Sequence, residues 1–378
     1  MLRKYFALAP LFVLGAAHAA PFTPGNVVIY RVGDGSTALI NTGNAVFLDE
    51  YTTGGTLVQS VPMPTTASGA NSGFFASGTA TSEGLMTLSA DGRYIMATGY
   101  ASTAATSLSG TTGAAVNRVV GRIDLNGNID TSTKLTDFAS GNNPRGIAST
   151  NGTDIWVAGG AGGVRYTTLG ATTSTQLSTT VTNIRGVQIS NGQLYVSDNS
   201  GTAVRLGAVG SGTPTTAGQT IVNLSGFPTA GSPYQFFFAD LDSGVAGNDT
   251  LYVAEDTTGG GQIQKYSLVA GNWTAAGSIS AAGVRGLTGY VTGTTVSLFA
   301  TTGASTATGG GTLYSFSDGT GYNGTASGTA TNAFSLAVNS NEAFRGIVYI
   351  PLAAIPEPGT LALLGLAPLA ALLLRRRK

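Results

Sequence analysis

The sequence predicts an all-β fold, a six-bladed β-propeller with seven blades as the alternative. Three observations lead there. A phrase made of Arg, Gly and an aliphatic residue, followed by a turn and an apolar strand, recurs along the chain. Gly is abundant, 56 of 378 residues, while only 10% of residues are charged. Short runs of Val, Ile, Tyr, Phe and Thr alternate with clusters of Gly, Asn and Asp, which is the composition of strands and turns. Gly at this density disfavours long helices, because inside a helix it costs about 1 kcal/mol relative to Ala. The apolar share of 42% is enough for a core.

The phrase reads "RGIASTNGTDIWVAG" from Arg145, "RGVQISNGQLYVSD" from Arg185, "RGLTGYVTGTTVSLFAT" from Arg285 and "RGIVYIP" from Arg345. Two variants are "EGLMTLSADGRYIMATG" from Glu83 and "FFFADLDSGVAGNDTLYVAED" from Phe236, where the Gly is lost. A further strand follows most of them, as in "GVRYTTLG" from Gly163 and "GQIQKYSL" from Gly261, and a fourth short segment closes the unit. Asn151-Gly152, Asn191-Gly192 and Asp91-Gly92 supply tight hairpin turns. Four antiparallel strands per unit, with 40 residues between Arg145 and Arg185, is propeller-blade spacing. The phrase at Arg345 has only an inner strand after it. The N-terminal strands "NVVIYRVGD", "AVFLDEYTTGG" and "TLVQSVPMP" supply the rest, so both chain ends share one blade and no sheet edge is left open. The Thr/Ser/Gly/Ala stretches at 65–82, 101–115 and 303–312 read as surface loops.

The body, residues 20–351, is flanked by two processing segments. Residues 1–19 have a basic start at Arg3 and Lys4, an apolar run and a small-x-small site at Ala17-His18-Ala19, the layout of a cleavable export signal whose helix lies outside the fold. With it goes His18, the only histidine. The chain has no cysteine. The mature body therefore has no Ser-His-Asp triad, no thiol nucleophile and no His/Cys zinc site, and no catalytic residue is assigned. Without leader and tail, the body has five more acids than bases, which excludes a nucleic-acid binder.

Residues 352–378 contain Pro356-Glu357-Pro358, fifteen uncharged residues from Thr360 to Leu374, and the bases Arg375, Arg376, Arg377 and Lys378. As a helix the run spans about 22 Å, short of a bilayer core of about 30 Å. As a short transmembrane helix it can engage a membrane but makes a poor permanent anchor. This tail resembles the PEP-CTERM sorting domain of exported proteins from exopolysaccharide-producing Gram-negative bacteria, which implies that the helix holds the chain at the inner membrane only in transit. The resemblance implies an exosortase as partner, removal of the tail, and delivery to the cell surface or extracellular matrix. In the body, "LYVSDNSGTAVRL" from Leu194 and "LYVAEDTTGGGQIQKYSL" from Leu251 resemble NHL-type propeller repeats.

Repeat symmetry predicts that Arg145, Arg185, Arg285 and Arg345 ring one mouth of the central channel, with Glu83 in the same ring. Arg presents a planar donor fork suited to an anionic ligand; bonds to blade-joining carbonyls or neighbouring acids are the structural alternative. Asp198, Glu255 and Asp256 follow their strands directly and are the candidate cation ligands, with calcium the ion such turns would take; turn capping is the alternative. No other cofactor is expected. "DLNGNID" from Asp124 has calcium-loop alternation but lacks the acidic twelfth ligand, which is Leu135 here. The function expected is that of a non-catalytic carbohydrate- or matrix-binding propeller, with exopolysaccharide as the candidate partner. A glycan lyase or hydrolase using carboxylates or a metal is the first alternative, and an ice- or surface-adhesion protein the second. On this reading, intact-mass measurement of protein from its own host should show a main species ending near Pro358; retention of Arg375 to Lys378 would rule out tail removal.

Overall fold

The computed structural model describes residues 19–352 apart from Ser200, Thr202, 257–259 and 304–308. The leader before Ala19, the Pro-Glu-Pro motif and the basic terminus lie outside the described residues. Within them the fold is all-β, with a single 3₁₀ turn at Leu108–Gly110, and no helix is long and apolar enough to cross a membrane.

The strands form five antiparallel sheets. One contains β1 (Val27–Val32), β2 (Asn44–Tyr51), β3 (Leu57–Pro62), β4 (Phe75–Ala76), β5 (Thr87–Leu88), β6 (Tyr94–Tyr100), β7 (Arg118–Asp124), β8 (Ile129–Asp130), β9 (Lys134–Leu135) and the last strand of the chain, β26 (Ala343–Tyr349). The other four have four strands each, in chain order. They are β10 (Pro144–Ser149), β11 (Asp154–Gly159), β12 (Val164–Thr168) and β13 (Thr175–Gln176); β14 (Ile184–Ser190), β15 (Gln193–Asp198), β16 (Leu206–Val209) and β17 (Ile221–Asn223); β18 (Pro233–Ala239), β19 (Thr250–Glu255), β20 (Gln262–Val269) and β21 (Asn272–Ser280); and β22 (Val284–Thr292), β23 (Thr295–Thr302), β24 (Gly311–Asp318) and β25 (Thr331–Leu336). The first strand of each of these sheets packs against the first strand of the next, in a closed cycle β5–β10–β14–β18–β22–β26–β5. This is a propeller arrangement.

The expectation of six or seven separate blades meets a different sheet count, four separate four-stranded sheets and one continuous ten-stranded sheet. The physical reason is β4. Ala45 pairs with Phe75, and Phe75 pairs in turn with Tyr100, so two residues weld β2 to β6. They lie inside the stretch read as a loop at 65–82. The neighbouring Phe74 is fully buried in the core, which gives this Thr/Ser-rich segment its anchor.

The two chain ends do meet. β26 pairs with β1 in the register Val27↔Tyr349, Ile29↔Ile347 and Val32↔Ala343, and every residue of both strands is buried. Arg31 ties this seam with ion pairs to Asp49 at 2.5 Å and Glu342 at 2.6 Å.

The recurring Arg-Gly has a geometric cause. In each of β10, β14, β18, β22 and β26 the register with the next strand slips at this pair: at Arg145, at Arg185-Gly186, at Tyr234-Gln235, at Arg285 and at Arg345-Gly346. A bulge bends the strand and re-aims the side chain at the slip. The Gly then faces the neighbouring inner strand, where there is no room for a Cβ. One at Gly346 would lie 2.5 Å from both the Gly84 carbonyl oxygen and the Met86 nitrogen; one at Gly186 would lie 2.8 Å from the Tyr234 carbonyl oxygen. Close approach lets Gly346 N–H donate to the Gly84 carbonyl at 3.0 Å and Leu85 N–H to the Arg145 carbonyl at 3.0 Å. Gly346→Ala should therefore cost about 1–3 kcal/mol of stability by overpacking against backbone. Gly54→Ala, where the nearest atom is 3.9 Å from the added Cβ, is the control and should unfold thermally like the parent chain.

Candidate functional site

The bulged residues converge on one mouth of the channel. Arg185 and Arg285 flank Tyr234, with guanidinium carbons 4.0 Å and 4.8 Å from the ring centre, within cation–π range. Tyr234 is itself buried. Asp256 serves both arginines. Its Oδ2 accepts from Arg285 Nε at 3.1 Å and lies 3.0 Å from the second guanidinium nitrogen, while Oδ1 is 3.8 Å from Arg185. Arg185 also donates to the Ser232 hydroxyl, and Arg285 to the Thr81 carbonyl at 2.8 Å. Arg145 donates to neutral groups, the Asn143 side chain at 3.2 Å, the Asn183 side chain at 2.5 Å and the Ile184 carbonyl at 3.3 Å. These three side chains are half-buried; those of Arg185 and Arg285 are 13% and 22% exposed.

Arg345 differs. It is buried, donating to the Phe344 carbonyl at 2.9 Å and the Gly78 carbonyl at 3.2 Å, while its Nε has no hydrogen-bond partner. Burial pushes its guanidinium down to about 10, against the pull of Glu83 and Tyr30. Burial also lowers Arg145 and Arg185, and the charge of Arg185 adds to the effect on Arg145.

Glu83 sits behind the mouth, fully enclosed. Its carboxyl accepts from Ser77 N–H at 2.5 Å and from the Tyr100 hydroxyl at 3.2 Å. Burial raises it to about 8, although Arg345, those hydrogen bonds and Arg118 favour the charged form. Arg118, also buried, belongs to the scaffold: it donates to the carbonyls of Val116, Thr111, Ala139 and Asn142 at 2.6–2.9 Å and pins two loops to β7.

The acids proposed as cation ligands separate by role. Asp256 holds the arginines. Glu255 is buried and accepts from Ser232 N–H at 2.6 Å. Asp198 is buried at the end of β15 and acts electrostatically on Arg145. Among the described residues no group of three or more His, Cys, Asp or Glu is arranged to hold a metal ion. In the "DLNGNID" loop, Asp124 accepts from the Asn126 and Asn128 amides at 2.9 Å and caps its own hairpin. Of the processing residues, Ala19 alone is described; it packs against the core beside Gly127.

Tyr234 was not predicted. Aligning Tyr234-Gln235 with the Arg-Gly pairs, two residues before the chosen Phe236, would have found it. Gln235 replaces the glycine and crosses the channel, donating to the Met86 carbonyl at 2.5 Å and accepting from Leu287 N–H at 3.2 Å.

Fold and contacts together define a propeller arrangement whose inner strands carry arginines at their bulges. Comparison with known proteins adds the sorting signal: residues 354–378 match the PEP-CTERM protein-sorting motif, which marks the chain as exported through the membrane to the cell surface and processed by an exosortase. No curated protein matches the sequence. Among solved structures the chain is similar to one in the nidogen/laminin complex (12% identity, 86% of this chain and 98% of that one, TM-score 0.46). It is similar to the GH74 enzyme of Niastella koreensis (15%, 84% and 46%, 0.45) and to a protein from Lactobacillus plantarum (12%, 88% and 89%, 0.44). Likeness at this level carries no functional argument.

Glu83 gives a pH signature. Its proton is held more tightly in the folded than in the unfolded chain, so its contribution to stability is complete below the ordinary value of 4.5 and is lost as pH rises through about 8. The melting temperature of the parent chain should fall across that interval relative to Glu83→Gln, which mimics the uncharged acid. Parallel profiles would show that Glu83 is ionised throughout.

Proposed function

We propose that the protein is a non-catalytic surface or matrix propeller that binds an acidic glycan, an exopolysaccharide of its host, at the arginine mouth. We count its ring as six NHL-like blades, the ten-stranded sheet being two blades welded by β4. The observation that carries the reading is the placement of Arg145, Arg185 and Arg285 on backbone bulges around one opening. Close packing of the inner strands accounts for the bulges, but not for the choice of Arg at three of them, each partly exposed toward the same space. The local charge supports it. Arg145, Arg185 and Arg285 act on the carboxylates of Asp256, Asp198 and Glu255, while the buried Arg345 is paired electrostatically with Glu83. Arg145, whose hydrogen bonds go to neutral groups, is the residue from which an added carboxylate draws the greatest gain.

The test is binding of polygalacturonate to the full chain by calorimetry at two salt concentrations. Binding should weaken with salt, since part of it is Coulombic. Arg145→Ala and Arg185→Ala should each weaken it roughly tenfold or more, the value of a charged hydrogen bond. Arg93→Ala, on an exposed outer turn, should leave it unchanged. Absence of binding, or affinity indifferent to Arg145 and Arg185, would overturn the assignment and leave the ring a structural device.

A further inference from the structure

The opposite end of the same inner strand has a different chemistry. β22 carries Arg285 near its start and Tyr290 five residues on, about 17 Å away along the strand. Tyr290 walls two adjoining cavities, one of about 230 Å³ at the far mouth of the channel and one of about 490 Å³ between the β22–β25 sheet and the loop after β2. Neither cavity is lined by a charged side chain. Tyr290 stacks on Tyr349 at 4.6 Å and 25°, with Phe299 parallel to Tyr349 at 6.1 Å and 8°. The stack fixes the partly exposed Tyr290 ring against two buried ones.

Strand register sets hydroxyls beside this platform. Tyr290, Ser297 and Ser317 lie opposite one another across β22, β23 and β24; Phe299, Ser315 and Thr331 form the next row across β23, β24 and β25. All six therefore occupy one sheet face. The hydroxyls of Ser297, Ser315, Ser317 and Thr331 make no hydrogen bond within the described residues; Ser317 and Thr331 are exposed, and Ser297 and Ser315 are partly so.

We propose that this cleft binds a neutral polysaccharide chain, with Tyr290 as its stacking platform and the serine and threonine rows as its hydrogen-bonding rail. Three features select the ligand. The uncharged lining excludes a ligand whose affinity depends on ion pairs. The fixed aromatic ring offers a flat apolar surface to the C–H face of a sugar. Hydroxyls that both donate and accept match the alternating donors and acceptors of a polyol. An apolar peptide or lipid would cover those hydroxyls without pairing them, and each buried unpaired hydroxyl opposes binding. The site is independent of the arginine mouth, and the two fail separately.

The experiment titrates the full chain with cellohexaose, maltohexaose and laminarihexaose. At least one should bind with an affinity indifferent to salt. Tyr290→Ala should weaken it at least about tenfold, and Tyr290→Phe, which keeps the ring, should restore it. Ser317→Trp, an exposed substitution that fills the cleft, should abolish binding with thermal unfolding unchanged, which guards against misfolding of the Tyr290 variant. Polygalacturonate affinity should persist in all three variants. Failure of all three hexasaccharides to bind overturns the proposal. So does sugar binding that survives Ser317→Trp, or binding of a neutral Ser/Thr/Val heptapeptide in their place.

Discussion

The crowding of inner strands around the axis is the constraint from which the rest of the structure follows. Six strand segments must approach closely enough for backbone of one to bond backbone of the next, as Gly346 N–H does to the Gly84 carbonyl. A side chain at the contact is excluded, so the sequence places Gly there. A slip in register at the preceding residue turns that residue toward the mouth. The residue that fills the mouth is thus a by-product of the packing rule, and its identity is open to choice. Arg145, Arg185, Arg285 and Tyr234 take that place at the mouth, whereas Arg345 is buried and Glu83 lies enclosed behind it. Where the Gly rule is broken, at Gln235, the longer side chain reaches across to Met86 and also accepts from Leu287 on the neighbouring strand β22, so the added volume becomes a brace.

The scarcity of charge has a matching logic. Several of the few charged groups sit where separate sheets, or the two ends of the chain, meet. Arg31 joins Asp49 to Glu342 at the seam between chain ends. Lys265, fully buried, bonds Asp318 at 2.9 Å, Thr320 and the Gly321 carbonyl, linking β20 to the end of β24. Arg165 reaches Asp137 at 2.9 Å. Such pairs return little stability over apolar packing because both partners must be desolvated. They do penalise wrong pairings, since a charge buried without its partner is costly. In a ring of similar sheets with no disulfide to fix their order, that penalty favours one arrangement.

Much of this was legible in the sequence, because the repeated phrase records a repeated backbone geometry. Arg145, Arg185, Arg285 and Arg345 could be placed at equivalent positions from the glycine that follows each. The pairing of β1 with β26 could be read from an incomplete last unit and surplus strands at the start. Two features could not. β4 makes its weld with two residues, too short for a period-two pattern, and its partners are remote in sequence. Tyr234 was hidden because its repeat lacks the Gly that made the others visible. The Tyr290 cleft was illegible for a different reason: Ser297, Ser315, Ser317 and Thr331 become a row only when register is known, and a slip of one residue would move them to the other face.

Closure through the chain ends also bears on export. The strand that completes the ring is the last one, and its first-strand partner is more than three hundred residues away, so the closing contact is the most non-local pairing in the fold. The ring cannot close until the whole body has been delivered. The sorting motif begins at residue 354, five residues beyond Tyr349. With no cysteine in the chain, this seam, its burial and the Arg31 pairs hold the ring together at the point where the tail leaves it.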